Sequence, residues 1–377
     1  MDRVKKAMYL QISDDLRSKI DSEHYKVGDK LPTENELIDL YGVSRVTARR
    51  AMDTLAQDDL IIRRPGRGSF VIEKESSNKQ AVNAKTEEMI GVIFPTIFPC
   101  FGTQLTHEIS SNLQERGFHM VYIGNQGNQS TESAALKSIM KLPLDGLIIW
   151  PATGRYLGNE IIKLIIDEFP VVMLDRYIQE IETNYVVTDN RQATKKALQH
   201  LLDLGHKQIG ICSIKKSYDS SIKERVTTAT NFLTENGVDF NLVTNVIEVS
   251  DHPFANNESI KNSRTQLTKQ VKNHLKAYPD TTAFFVTEYY PATLLYEVLT
   301  TLGYSVPEDF SIVCYDFPNF YLEDVVQFTH IKQNEAKLAR KSVELVLNSI
   351  DNKIDKSNHF VEADLIIGET TGQCKGI

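Results

Sequence analysis

Ser44-Arg45-Val46-Thr47-Ala48-Arg49-Arg50 carries the densest candidate chemistry in this chain. An arginine guanidinium is a planar fork of donors, and two of them match the O6 and N7 acceptors of guanine in a DNA major groove. Arg45 and Arg49 are four residues apart, so on a helix they share one face. With Ser44 as the helix cap, Arg45 falls in the first turn, where such helices reach base edges. Arg50 points about 100° away and is expected to meet a phosphate or an acid. A second basic feature follows at Arg63-Arg64-Pro65-Gly66-Arg67-Gly68. Gly66 and Gly68 let the backbone lie close to DNA, and Arg67 between them is suited to a narrow minor groove. The competing reading is a solvated basic helix with scattered salt bridges. The cap, the spacing and the basic turn together favour DNA.

A different set of groups suits a small polyhydroxylated ligand. A sugar presents hydroxyls at fixed angles and apolar C–H faces. A site for it needs carboxylate acceptors, guanidinium donors and an aromatic ring. Such residues stand at the ends of short apolar runs: Phe98 and Phe101, Asp175 with Arg176, Asp189, Glu288 and Asp316. Each also has a structural reading: packing for one of the two phenylalanines, a loop cap for Asp175, an interlobe ion pair for Arg176. Trp150, the one tryptophan, ends another run and is read as core.

The elements that would position these groups follow from pattern. Tyr9, Ile12, Leu16 and Ile20 recur at helical spacing and predict a helix over 7–21. Thr33 with Glu36 forms a capping box after Pro32, Leu37, Ile38 and Leu40 give that helix its apolar side, and Gly42 ends it. Ser44 opens a third helix whose buried side is read as Val46, Ala48, Ala51, Met52 and Leu55. Leu60–Ile62 and Ser69–Ile72 are β-prone runs around the basic turn, which predicts a hairpin. Residues 1–72 are therefore expected to be a winged helix-turn-helix DNA-binding domain. Residues 73–88 are polar with almost no large apolar side chain and read as a flexible linker.

From residue 89 short apolar runs alternate with amphipathic stretches. Strands are expected at 90–94, 119–124, 146–150, 171–174, 185–188, 208–212, 246–249, 283–287 and 311–315, with helices between most of them and one more apolar run at 363–367. That rhythm implies parallel sheets covered on both faces. Nine or ten strands suit two doubly wound lobes better than one barrel, with ligand in the cleft between them. The fold class is α/β: a small winged helix-turn-helix domain plus a two-lobed doubly wound parallel-sheet effector domain over 89–377.

Charge distribution agrees. The chain of 377 residues has a net charge of −8, but residues 1–72 hold 13 Lys/Arg against 12 Asp/Glu, so the acidity sits outside the head. Six arginines fall within 45–67 against three acids, Asp53, Asp58 and Asp59. A local basic face of that kind binds phosphates even on an acidic protein. Cys100, Cys212, Cys314 and Cys374 form neither a disulfide framework nor a zinc spacing, which points to a reducing, cytoplasmic setting. No apolar run is long enough to span a bilayer and no secretion signal is evident, so no membrane partner is expected.

The motif PTENELIDLYGVSRVTARRAMDTL followed by LIIRRPGRGSFV closely resembles the winged head of GntR-type bacterial repressors over about residues 5–72. That resemblance implies DNA contacts by Glu34, Ser44, Arg45, Thr47 and Arg49 from the helices and by Gly66, Arg67 and Gly68 from the wing. Related heads often carry an uninterrupted glycine run where this chain has Pro-Gly-Arg-Gly. From LDGLIIWPA through PVVMLDRY, VVTDNRQAT and LGHKQIGIC to FTHIKQNEAKLARKSVELVL, most of 89–370 resembles the effector domain of LacI-type repressors, itself similar to periplasmic sugar-binding proteins. Arg225 aligns there with an arginine that often binds effector; its alternative is an interlobe ion pair. Thr228-Ala229 and Thr287-Glu288 depart from the usual residues of that family. A GntR-type head on a LacI-type sensor is similar to the arabinose repressors of Gram-positive bacteria.

The resemblance and the residues together imply a homodimeric, sugar-responsive repressor bound to double-stranded operator DNA, with arabinose the first expectation and another sugar or sugar phosphate the second. No cofactor and no metal is expected. No GxSxG, HExxH, P-loop or GxGxxG sits at a strand–helix junction, and the nine histidines offer no i,i+4 ligand pair, so no enzyme is expected. A sugar-binding transport receptor would need an export signal and has no use for the head.

Overall fold

The computed structural model describes residues 7–22, 24–58, 60–64, 68–72, 88–95, 100–152, 158–178, 181–215, 219–249, 257–318, 325–351 and 357–375. The chain divides into two compact units, Met1–Ala84 and Lys85–Ile377. The expected linker lies almost wholly outside the described residues.

In the first unit α1 (Met8–Asp21), α2 (Glu34–Tyr41) and α3 (Arg45–Gln57) precede a two-stranded antiparallel hairpin, β1 (Ile61–Arg64) and β2 (Gly68–Val71). The local signals act as chemistry requires. Thr33 accepts from the Glu36 backbone N–H and the Glu36 carboxylate accepts from Thr33 N at 2.7 Å, so two orphan donors of α2 are satisfied. Gly42, with φ 64°, takes the left-handed position that ends α2. Ser44 Oγ accepts from Thr47 N at 3.2 Å and starts α3. Ile12, Leu16, Leu31, Leu37, Ala48, Ala51, Met52 and Leu55 close the core under the hairpin residues Leu60, Ile61 and Val71. Two expectations fail here: Val46 and Leu40 are exposed, 59% and 68%, not part of the buried sides. Ala48, Ala51, Met52 and Leu55 alone already make a full helical stripe at i, i+3, i+4 and i+7, and Val46 falls on the opposite side of it.

The second unit is two doubly wound lobes. The elements run β3 (Glu88–Phe94), α4 (Thr103–Gln114), β4 (Phe118–Gly124), α5 (Gln129–Ile139), β5 (Gly146–Ile149), α6 (Asn159–Ile166), β6 (Val171–Leu174) and β7 (Asn184–Thr188). They continue with α7 (Asn190–Asp203), β8 (Ile209–Ile214), α8 (Ser220–Glu235), α9 (Phe240–Thr244), β9 (Ile247–Val249), α10 (Asn257–Ala277), β10 (Ala283–Val286), α11 (Tyr289–Thr301), β11 (Ser311–Tyr315) and β12 (Thr329–Lys332). The last are α12 (Glu335–Ile350), β13 (Asn358–Val361) and β14 (Asp364–Ile366). One six-stranded sheet has the order β13-β7-β6-β5-β3-β4, all parallel; the other has β14-β12-β11-β10-β8-β9, parallel except for β14. Both sheets are covered on two faces. Along β3, Ile90, Val92 and Phe94 enter one core and Ile93 the other; along β10, Ala283 and Phe285 face one way, Phe284 and Val286 the other.

Each of the nine expected strands is present. β12 and β13 are additions, and β14 is the apolar run near 363–367. The chain passes between lobes three times, at 188–190, 332–335 and 361–364, because α7 packs in the second lobe, α12 in the first, and β13 and β14 belong to different sheets. Among the described residues no helix is long and apolar enough to cross a membrane.

Candidate nucleic-acid interface and effector cleft

The head presents its arginines through an electrostatic frame of its own. Arg63, on the hairpin, donates to both Glu34 at the start of α2 and Asp53 on α3. The same two carboxylates hold the α3 arginines more loosely: Arg45 Nε lies 3.9 Å from Glu34 and Arg49 Nε 4.0 Å from Asp53. The Arg45 and Arg49 side chains are 75% and 69% exposed. Exposed pairs at such separations are worth little, so both forks can leave their carboxylates for a stronger acceptor. Arg63 and the two acids thus aim Arg45 and Arg49 without consuming them. The Arg50 guanidinium lies 4.3 Å from the centre of the Tyr9 ring on α1, a cation–π contact that ties α3 to α1. Ser44 and Thr47, with hydroxyls 2.9 Å apart, sit at the exposed end of α3. Gly68 opens β2 with φ 109°, while Gly66 and Arg67 lie outside the described residues.

The second unit brings most of the candidate ligand groups to one place. Asp175 directly follows β6 in the first lobe and Asp316 directly follows β11 in the second. Both have left-handed backbones, φ 66° and 64°, a costly conformation for a residue with a Cβ. Each is fixed by a backbone bond: Asp175 N to Val186 O at 3.0 Å and Asp316 N to Ile331 O at 2.9 Å. The turn in each case swings a carboxylate over the carboxyl end of its sheet, where doubly wound folds bind ligands.

Two guanidinium groups face them. Arg176 Nη2 lies 3.2 Å from Asp219 of the other lobe and its Nε 3.5 Å from Asp175. Arg225, on α8, donates to Asn190 Oδ1 and Thr287 O, both at 2.8 Å, and its guanidinium carbon lies 3.7 Å from the centre of the Tyr315 ring. Arg225 is 3% exposed, and Asn190, Thr287 and Tyr315 all belong to the second lobe. The interlobe reading therefore holds for Arg176 and not for Arg225. Asp175 is within electrostatic reach of Arg176, Arg225, Asp219 and Glu288, and Asp316 of Arg225, Glu335 and Asp175.

Burial dominates how these acids titrate. It pushes the Asp175 carboxyl up to about 6 against the pull of Arg176 and Arg225. It pushes Asp316 up to about 7 against Arg225 and the Gln333 hydrogen bond. The aromatic wall is Phe101 edge-on to Trp150 at 5.2 Å, with the Arg176 guanidinium 5.7 Å from the indole centre. Trp150 is 7% exposed, as the core reading expects, yet among the described residues its Nε1 has no hydrogen-bond partner. A buried indole N–H is normally satisfied.

Phe101, Asp175, Arg176, Arg225, Glu288 and Asp316 thus converge. Asp189 does different work: its carboxylate accepts from Gln192 N at 2.9 Å and caps α7, and its own N–H donates to Val361 O at 2.8 Å across two lobe crossings. Phe98 lies outside the described residues. Asp219, Asn190 and Gln333 join the cleft without having stood out in the sequence, and Thr287 enters through its carbonyl, which accepts from Arg225. Gln333 sits on a crossing, accepts from Thr188 Oγ1 at 2.6 Å on another, and donates to both Asp316 oxygens at 3.0 and 3.2 Å. The lobes also meet where Tyr177 N donates to Ser220 Oγ and Tyr177 Oη to Glu224, both at 3.0 Å.

Residues 8–71 match the bacterial regulatory proteins of the gntR family, and residues 198–371 match the periplasmic binding protein-like domain. The chain is similar to the arabinose metabolism transcriptional repressor of Geobacillus stearothermophilus, 25% identical across 96% of this chain and 97% of that one. The repressor of the same description from Halalkalibacterium halodurans is 24% identical over 92% of each. In fold, the chain is similar to a LacI family transcriptional regulator from Enterococcus faecium, solved with bound ribose. The TM-score is 0.62 and the identity 23%, over 76% of this chain and all of that one.

Proposed function

We propose that this chain, a gntR-type winged head joined to a periplasmic-binding-protein-like domain, is a transcriptional repressor whose hold on operator DNA is governed by a small neutral sugar. The observation that carries the reading is the pair of buried carboxylates, Asp175 and Asp316. They are turned toward each other's lobes beside Arg176 and Arg225, in a chain whose α3 holds Arg45 and Arg49 exposed.

The chemistry of the cleft favours an uncharged polyol. Among the described residues it collects Asp175, Asp219, Glu288 and Asp316 against Arg176 and Arg225, and both arginines already have acceptors. Such a site offers lone pairs to hydroxyl donors and little to a dianion, which argues against a sugar phosphate. Phe101 and Trp150 supply the apolar face. The arabinose metabolism repressors among the relatives make arabinose the first sugar to test.

In this reading residues 1–72 bind DNA, 73–88 link, and 89–377 sense the sugar and dimerise. Two copies place two heads on a two-fold operator in the cytoplasm, since paired half-sites match a symmetric dimer. Glu34, Ser44, Arg45, Thr47, Arg49 and Gly66–Gly68 meet the DNA. Phe98, Phe101, Asp175, Arg176, Arg225, Glu288 and Asp316 meet the sugar. Asp189 serves by capping α7 beside the crossings. Sugar bridging the lobes favours closure, and closure favours release. The relatives are transcriptional regulators, and the cleft is proposed to bind and not to catalyse.

The test is retention of promoter DNA by the full-length chain at low ionic strength, with and without a panel of pentoses, hexoses and their phosphates, alongside a thermal-shift screen of the same panel. Release of DNA by the same neutral sugar that raises Tm is the expected result. No retention of any promoter fragment removes the repressor reading, and a response to phosphorylated sugars alone removes the neutral-sugar reading.

A further inference from the structure

The head exposes several apolar side chains, Val27, Leu40 and Val46 the most, and of these Val46 stands on α3. Val46 is the second residue of α3, and its residue surface is 59% exposed. Counting about 100° per residue, it lies about 160° from Ala48, the middle of the buried stripe. Arg45 precedes it and Arg49 follows three residues on, both strongly exposed. A β-branched residue in a helix loses side-chain freedom that only packing repays, and Val46, 59% exposed, gains little of it inside the head. Two flanking cations make this face a poor surface for a second copy of itself and a good one for an anionic partner.

We propose that Val46 is a specificity residue of the head and reads thymine through its C5-methyl group in the major groove. The proposal rests on the operator-binding reading above. The major groove is where the thymine methyl stands clear of the base-pair edge, and small apolar side chains are its natural contacts. Arg45 on the preceding position can fork onto a guanine. The first turn of α3 then reads a thymine next to, or one step from, a guanine in each half-site. The arginines and the Ser44 and Thr47 hydroxyls do not distinguish thymine from a base lacking that methyl, and Thr47 with its one γ-methyl is less exposed than Val46, so this discrimination is assigned to Val46.

The test uses the full-length chain and a duplex selected by it from a random-sequence pool. Each thymine of one half-site is replaced in turn by deoxyuridine, which keeps every hydrogen bond and removes only the methyl. For the unmodified protein one replacement should weaken binding about threefold to fivefold, the worth of one methyl group removed from water. In V46A that replacement should have no effect, because the partner methyls are gone. In V46T, which keeps one γ-methyl, part of the sensitivity should persist. Both substitutions lie on an exposed helix face and leave the core untouched. If no deoxyuridine weakens binding, or if V46A keeps the same sensitive position, Val46 is not the reader. If the chain selects no sequence at all from the pool, the operator-binding reading itself fails, a result distinguishable from the other two.

Discussion

Replacing Gln333 by leucine should make sugar binding depend on pH in a way the unmodified protein's does not. Gln333 Nε2 donates to both oxygens of Asp316, at 3.0 and 3.2 Å, and the residue is 5% exposed. A hydrogen bond to a charged group is worth about 1.5–3 kcal/mol when its loss leaves the charge buried. Asp316 titrates at about 7, raised by burial and restrained by Arg225 and by this bond. Loss of the bond makes Asp316 hold its proton about tenfold to a hundredfold more tightly, at roughly 1.4 kcal/mol per decade. At pH 7 the ionised fraction then falls from about a half to about 1–10%. If the ionised carboxylate accepts a sugar hydroxyl, affinity at pH 7 falls about fivefold to fiftyfold. Above about pH 9 most of that loss should disappear, because Asp316 is then largely ionised in both proteins. Calorimetric titration of each protein between pH 6 and 9, with whichever sugar raises Tm most, reads the ratio directly. A ratio that stays constant across that range means Gln333 acts on packing and not on the charge of Asp316. A ratio of one throughout removes Asp316 from the site.

Arg45→Ala should cost about 1–3 kcal/mol of operator binding and relax base preference at one position; an equal loss on operator and random DNA removes its base-reading role. Tyr177→Phe deletes the 3.0 Å bond to Glu224 that joins the lobes. It should weaken sugar binding by about 0.5–1.5 kcal/mol without changing operator affinity in the absence of sugar, as measured by titration of each ligand. For Asp316→Asn the informative quantity is its stability relative to the unmodified chain. Below about pH 4 the carboxyl is protonated whether folded or unfolded, so burial carries no penalty. Between there and about 7 the unfolded chain gives up the proton that the folded chain retains. The unmodified protein therefore loses stability as pH rises through that window, and the Asn variant should gain on it by a few kcal/mol in parallel denaturant titrations. A flat difference places Asp316 in a more solvated setting than the fold indicates.

How far the sequence could be read depended on whether the determining contacts were local. The head's helices follow from Thr33 with Glu36, from Gly42 and from Ser44, all of which act within four residues of themselves. Val46 lies outside the buried stripe: helical periodicity tolerates a wide apolar arc, and only the packed position of α1 and the hairpin decides which part of it is covered. The strand runs of the second unit were legible because central parallel strands are apolar throughout, as in the wholly buried β5, β6, β8, β10 and β11. β13 escaped because it is an edge strand, half exposed and only four residues long. Asp175 and Asp316 stood out as acids at strand ends. Asp189 stood at a strand end too, but the next helix takes its carboxylate as a cap, a competing use that Asp is well suited to. Asp219 and Gln333 gave no comparable signal. Their partners Arg176, Thr188 and Asp316 lie 17 to 145 residues away, the last two distances recorded for the Gln333 bonds.

The placement of Gln333 bears on how a ligand could be felt outside the cleft. Hinge closure needs a few residues that take up the motion, and here three crossings are bonded to one another: Thr188 to Gln333, and Asp189 to Val361. Gln333 is at once a crossing residue and the partner of a cleft carboxylate. A sugar hydroxyl given to Asp316 competes for lone pairs with the Gln333 amide, and whatever weakens that bond also loosens the hold of Gln333 on Thr188. On the first-lobe side Arg176 pairs with Asp175 and reaches Asp219 of the other lobe, next to the Tyr177–Ser220 contact. Ligand binding and the open–closed balance therefore draw on the same few hydrogen bonds. Allosteric coupling between two sites is typically about 1–3 kcal/mol. One or two such bonds, made in the closed arrangement and lost in the open one, are enough to supply it.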